Sequence, residues 1–347
     1  MGRRWVTGRR WVTGAVAAVM AAGVTAACGS SSSSSATTIT LYNGQHAQTT
    51  QALVRLFEAQ TGIHVDERDG DEDALAAQID QEGRASPADV FYSENSPALQ
   101  ALDGRGLLAP VAPTTLDAVP ASYDSPDRHW VGVSARVSVV VYNTRHLAAS
   151  QVPTSVLDLA DPRWKGKLAL APTETDFQPI VTSVAAAKGT AAALAWLKAV
   201  KANAGDHTYP DNETVTADVN SGQATIGIID HYYWYRLQAE IGKAKMASAI
   251  AYLAPRDPGY VVDVSGAAVL RSATHSAAAQ RFVAFLVSQA GESALAHSDS
   301  FEYPLRPGVA ADPALKPLSQ LRPAPLTIAQ LGDGAEALRI LRAAQLA

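Results

Sequence analysis

The stretch ITLYNGQHAQTTQALVRLFEAQTGIHVDE, residues 39–67, decides the fold class. Ile39 to Tyr42 is a short β-rich run, and Ile63 to Glu67 alternates at the two-residue period of a strand. Between them, Gln48 to Gln60 places Ala52, Leu53, Leu56 and Phe57 on one helical face, and Thr61 and Gly62 end it. The order is strand, helix, strand.

The alternation continues outward. Asp73 to Glu82 reads as a helix, Pro87 to Tyr92 as a strand, and Pro97 to Arg105 as a helix closed by Gly106. Further on come an apolar strand at Val137 to Tyr142, helices near Thr190 to Lys201 and Asn212 to Ser221, and a strand at Ile226 to Ile229. Gly259 to Leu270 reads as two extended runs, Tyr260 to Val264 and Ala267 to Leu270, before the helical Ala277 to Ser288. Strands alternating with helices at this spacing predict an α/β fold with a mainly parallel sheet covered on both faces. A mature chain of about 310 residues exceeds one comfortable core, so two lobes are expected, with a ligand cleft between them.

Toward the N-terminus, Arg3, Arg4, Arg9 and Arg10 precede an apolar run from Ala15 to Ala27. This reads as an export leader over residues 1–27, too short for a helix spanning a hydrocarbon core of about 30 Å. GRRWVTG occurs twice, at Gly2 to Gly8 and Gly8 to Gly14, within that leader. Cys28 is the only cysteine in 347 residues, which excludes an internal disulfide and any multi-cysteine metal site. Small residues flank it, Thr25 to Ala27 before and Gly29 and Ser30 after, so the segment resembles the lipobox of bacterial lipoproteins. That resemblance implies acylation of Cys28 and a membrane anchor, with residues 28–36 as a Ser-rich tether. The formal charge is −5, and it becomes more negative without the leader's arginines. An acidic chain of this kind is no nucleic-acid binder, and it suits a cationic ligand.

No Walker loop, HExxH, G-x-S-x-G or dinucleotide glycine fingerprint is present. What stands out is DHYYWYR, Asp230 to Arg236, directly after the strand Ile226 to Ile229. It reads either as aromatic packing or as part of a site, because strand ends in such folds face the cleft. His46 and Glu94 likewise stand just beyond strand ends. With Tyr232 and Tyr233 they form a set suited to a ferric ion, a hard acid that prefers oxygen donors. Two phenolates and one carboxylate match its three charges, and a neutral imidazole adds a fourth donor. Alternative readings are a binding protein for a polyamine or sugar, with the aromatic cluster as a stacking wall, and an extracytoplasmic hydrolase using the acidic and His residues. The first leaves His46 and Glu94 unexplained, and the second lacks a nucleophile or zinc motif.

A set of motifs from Ile39 to the C-terminus resembles the bacterial ferric-ion-binding periplasmic proteins of iron ABC transporters. The motifs are LYNGQH (Leu41 to His46), PADVFYSEN (Pro87 to Asn95), WKGK (Trp164 to Lys167), YYWY (Tyr232 to Tyr235), SGAAVL (Ser265 to Leu270) and EYPLRP (Glu302 to Pro307). The resemblance implies a type II periplasmic-binding-protein fold with discontinuous lobes joined by extended hinge crossings near Arg136 and Val264. One lobe would hold residues 37–135 plus 263–313, the other 136–262 plus 314–347. It also implies Fe(III) bound by His46, Glu94, Tyr232 and Tyr233, a noncatalytic monomer, and delivery of ferric ion or a ferric chelate to a permease and its ATPase subunit.

One departure from the family pattern is informative. Members that take phosphate as a co-ligand use a Ser-Gly-Ala turn and asparagines, whereas this chain has Glu174, Thr175 and Asp176 there, Asp230 before the aromatic run, and Asn212 as a matching amide. Ionised carboxylates cannot donate hydrogen bonds and they repel phosphate. No phosphate co-ligand is expected. Glu174, Asp176 or Asp230 is expected to face solvent in the site or to bind iron directly, unless the acidic turn is simply a solvated loop.

Overall fold

The computed structural model describes residues 37–347. The leader, Cys28 and the serine tether lie outside those residues. The chain opens with β1 (Thr38–Gly44), α1 (Ala47–Thr61), β2 (His64–Asp69), α2 (Glu72–Glu82), β3 (Val90–Ser93), α3 (Ser96–Gly104) and a short α4 (Pro113–Leu116). Then follow the long β4 (Val131–Asn143), β5 (Leu168–Ala169), α5 (Phe177–Lys188), α6 (Thr190–Ala204), α7 (Asn212–Ser221), β6 (Ile226–Asp230) and α8 (His231–Ile241). The last third holds β7 (Ser248–Ala251), β8 (Val262–Val269), α9 (Ser276–Leu286), α10 (Gln289–Ala296), β9 (Tyr303–Pro304), α11 (Ile328–Leu331) and α12 (Ala335–Ala343).

Local chemistry explains where these elements begin and stop. Gly62 takes a left-handed φ of 68° and returns its N–H to Glu58, closing α1. Asp71 caps α2 by accepting from Ala74 N at 2.8 Å, and Asp211 caps α7 by accepting from Thr214 N at 2.6 Å. Gly44 is required by contact. A Cβ there would stand 2.5 Å from Glu72 Cβ and 2.8 Å from its Cα, so only glycine lets the end of β1 pass the start of α2.

The sheet runs β2-β1-β3-β8-β4-β6-β5, with β7 and β9 also paired to β4. Among the strands of the described residues, the parallel pairs are β1 with β2, β1 with β3, and β5 with β6. All pairings of β4 and β8 are antiparallel. The mainly parallel sheet expected from the sequence is therefore corrected to a mixed one. The reason is that hydrophobic periodicity reports which residues are buried but not which way a strand runs. The two extended runs expected over Gly259 to Leu270 are one strand, β8. β4 is also longer than the apolar run Val137 to Tyr142, and every one of its residues is buried. Its first half pairs with β8 as far as Val137, opposite Val262, and its second half pairs with β6 from Ser138, opposite Asp230.

Helices cover the sheet and bury a continuous apolar core. Phe57 of α1 meets Phe282 and Phe285 of α9 at centroid distances of 5.0 and 5.5 Å. In α12, Ala337, Ile340 and Leu341 are buried at helical spacing, and that face packs on α5 and α6.

Candidate metal centre

Each polar group of the candidate site stands where a strand ends or a helix begins. His46 lies between β1 and α1, and Glu94 and Asn95 lie between β3 and α3. Because β1 and β3 are parallel neighbours, with Gly44 opposite Ser93, their ends bring His46 and Glu94 together. Thr175 and Asp176 directly precede α5, and Asn212 opens α7. Asp230 ends β6, and α8 starts at His231 with no intervening loop, so Tyr232 and Tyr233 occupy its first turn. The sequence reading placed no helix on DHYYWYR. Helix starts carry unbonded N–H groups and a partial positive charge, the right polarity for a cluster of oxyanions. One such N–H, that of Asn212, donates to Glu174 Oε2 at 3.2 Å.

The side chains converge. His46 Nε2 is 3.2 Å from Glu94 Oε1 and 3.3 Å from the Tyr232 hydroxyl. Tyr232 donates to Glu94 Oε1 at 2.5 Å and reaches Asp176 Oδ2 at 3.2 Å. Tyr233 donates to the same Asp176 oxygen at 3.0 Å. Asp176 is held in turn by Asn95 Nδ2 at 2.9 Å and Asn212 Nδ2 at 3.3 Å. Both phenol rings are buried and packed against each other, with centroids 4.1 Å apart. Among the described residues, no three His, Cys, Asp or Glu side chains by themselves make a metal cage. The Tyr232 and Tyr233 hydroxyls add two oxygen atoms to the cluster.

The acidic residues separate into different roles. Asp176 touches both phenols, whereas Glu174 turns toward the N-terminus of α7 and lines a cleft of about 260 Å³ beside His46 and Glu94. Asp230 is buried beside Asp176 and Asn212 and makes no hydrogen bond to either phenol among the described residues. Thr175 is buried and accepts from Asn95 Nδ2 at 3.2 Å.

Burial works against charge throughout the cluster. It raises Tyr232 and Tyr233 well above the ordinary phenol range, reinforced by Asp176 and Glu94. Burial and then Glu94 push Asp176 up to about 6, and burial and then Asp176 push Glu174 up to about 9. Asp230 is raised for the same two reasons, burial first and the Asp176 charge second. Glu94 goes the other way. Burial opposes its charge, but His46, Arg136 and the Tyr232 hydroxyl outweigh it and hold the carboxyl at about 2. Burial pulls His46 down, yet Glu94 more than compensates and raises it. The cluster thus holds more acidic groups than it can ionise together, the electrostatic pattern that a multivalent cation relieves.

Three participants were not expected in the site from the sequence, although Arg136 was named there as marking a hinge crossing. Asn95 bridges Glu72 and Asp176 through one amide, and its own N–H donates to Glu72 Oε2 at 2.7 Å. Arg136 is wholly buried and donates to the main-chain oxygen of Glu94. Glu302, also buried, accepts from Arg136 Nη2 at 2.9 Å and from Gln45 Nε2 at 3.3 Å. An arginine inside the apolar run VGVSARVSVVVYN was the available signal, since a strand buried on both faces takes a charge only where a partner waits.

The fold and the site define a type II periplasmic-binding-protein, built to bind a solute rather than to catalyse a reaction. The chain belongs to the family of bacterial extracellular solute-binding proteins, whose profile matches residues 85–325. It is 40% identical over 316 residues to the Fe(3+)-binding periplasmic protein of Serratia marcescens, covering 91% of this chain and 93% of that one. It is 38% identical over 311 residues to the major ferric iron-binding protein of Neisseria meningitidis serogroup B, covering 88% and 92%. Among solved structures, iron-bound HitA from Pseudomonas aeruginosa superposes with a TM-score of 0.85 at 42% identity, covering 89% of this chain and 99% of that chain.

Proposed function

We propose that this chain is the extracytoplasmic ferric-iron-binding component of an ABC importer and that His46, Glu94, Tyr232, Tyr233 and Asp176 hold the metal. The observation that carries the reading is that two phenols, two carboxylates and one imidazole are linked in one chain of polar contacts of 2.5 to 3.3 Å. Fe(III) favours this hard, oxygen-rich set, and it lowers the acidity barrier of a phenol as zinc does for water. The iron-binding names of the relatives agree with it.

Asp176 takes the place an exogenous anion would need, beside both phenols, so iron is bound without phosphate. Its fixed charge repels a second anion. Glu174 and Asp230 act around the metal rather than on it, Glu174 by lining the acidic cleft through which a cation approaches. The two lobes are residues 37–135 plus 263–313 and residues 136–262 plus 314–347. In support, β4 changes partners next to Arg136, which pairs with Asp263. The protein works as a monomer anchored through acylated Cys28 and delivers its cargo to a permease driven by an ATPase subunit.

The test is a titration of the soluble domain with ferric citrate, followed in the visible range. Binding produces a phenolate-to-iron charge-transfer band. No colour, or a band that persists when Tyr232 and Tyr233 are both changed to Phe, overturns the assignment.

A further inference from the structure

Arg136 has no solvent exposure and sits on β4 where its pairing passes from β8 to β6. Its guanidinium reaches three of the segments that build the site. Nη1 donates to the Glu94 main-chain oxygen and to Asn95 Oδ1 at 3.2 Å, and lies 3.9 Å from Glu94 Oε1. The guanidinium carbon is 5.6 Å from the centroid of the Tyr232 ring. Nη2 donates to Glu302 Oε1, and the Gln45 amide that binds the same oxygen also accepts from His46 N at 2.8 Å. Glu302 is fixed further by a hydrogen bond from Ser134.

Not every donor of the arginine is satisfied. Its Nε is buried without a partner, a cost that a purely structural arginine would avoid. Its position instead sets one fixed positive charge against a carboxylate and a phenol of the candidate iron site. In a water-excluded site such a charge is weakly screened, and it opposes each added positive charge on a bound metal.

We propose that Arg136 is a positioning residue that sets the preference of the site for ferric over ferrous iron, its charge loosening the hold on the trivalent ion while Glu302 moderates that effect. The inference rests on the iron reading above. Fe(III) carries one more positive charge than Fe(II), so a neighbouring cation disfavours it selectively. The same cation draws electron density from the Tyr232 phenolate and raises the energy of its charge transfer to iron.

The test compares wild type with Arg136→Gln, Arg136→Lys and Glu302→Gln, loaded with iron, by visible spectrum and by Fe(III)/Fe(II) potential. Arg136→Gln should move the band to longer wavelength and favour ferric iron by about tenfold, a fall of about 59 mV for one electron. Arg136→Lys keeps the charge and should move both readings less. Glu302→Gln leaves the arginine less neutralised and should move both readings the opposite way. If Arg136→Gln does not fold, the sign of the Glu302→Gln shift decides alone. A coloured wild type whose folded variants show no shift, or shifts of the same sign for Arg136→Gln and Glu302→Gln, overturns the proposal. A colourless wild type defeats the iron reading itself.

Discussion

The hydroxyl of Tyr232 donates to Glu94 Oε1 at 2.5 Å across 138 residues of chain. The carboxylate accepts this bond and is stabilised by it, while the phenol keeps a proton that burial and neighbouring charge make hard to remove. A metal bound at this point must displace that proton, and the Tyr233 phenol is held in the same protonated state.

Iron capture should therefore release two phenolic protons, and apparent affinity should rise by roughly 100-fold per pH unit where the phenols are protonated in the free protein. The sign follows from the weakened acidity of the phenols: acid keeps the O–H form and competes with the metal. Competition against a chelator of known protonation between pH 6 and 8 measures the slope. A flat profile would mean that the phenols do not bind as phenolates.

Replacing either phenol alone tests the pair. Tyr232→Phe and Tyr233→Phe should each weaken ferric binding by at least about 100-fold and reduce the charge-transfer band, because each removes one anionic donor. Equal affinity in either variant would remove that tyrosine from the donor set.

In the proposed site Asp176 stands in for an exogenous anion. Asp176→Asn should bind iron more weakly in phosphate-free buffer and regain about tenfold or more when millimolar phosphate is added. Wild type should be indifferent to phosphate. Tightening of the wild type by phosphate would refute the role given to the carboxylate.

Asn95 donates to both Glu72 Oε1 and Asp176 Oδ1 from one amide nitrogen. Asn95→Ala leaves both carboxylates short of a donor, so the iron dissociation rate should rise by about 10- to 100-fold, with the band retained. Stopped-flow transfer to a strong chelator reads the rate directly.

Away from the site, Glu292 of α10 is fully buried. Its Oε2 accepts from Leu305 N at 3.0 Å and its Oε1 has no partner. Burial pushes its carboxyl up to about 8, only partly offset by the Leu305 and Arg306 main-chain donors. A raised acid binds its proton more tightly when folded, so its stabilisation is complete below the unfolded value near 4.5 and is lost as pH rises through 8. The ceiling on that loss is on the order of 5 kcal/mol. Urea midpoints of Glu292→Gln should fall less steeply than those of wild type between pH 5 and 9. Parallel curves would show that the group does not titrate as described.

Much of this was legible because the informative signals were local. The first β–α–β unit follows from apolar spacing between Ile39 and Glu67, and α1 ends at Gly62 as its chemistry requires. His46, Glu94, Tyr232 and Tyr233 were legible from their positions after strands, and the structure brings all four together. Strand direction was not legible, since β4 and β8 look alike whichever way they run. Nor was the choice among Glu174, Asp176 and Asp230. One residue separates the first two in sequence, but Asp176 ends the turn at the start of α5 and faces the phenols, while Glu174 faces α7. The supports supplied by Asn95, Arg136 and Glu302 depend on contacts over 40 to 170 residues, which no single-chain pattern reports.

The placement of the donors at helix starts also bears on how such a site can change over time. Asp176, which directly precedes α5, is a short side chain whose carboxylate faces the two phenols. Exchanging one donor there, an acid for a hydroxyl or an amide, alters the coordination offered without reopening the packed interior. The scaffold can therefore drift among metal-holding chemistries one substitution at a time, with its framework intact at every step.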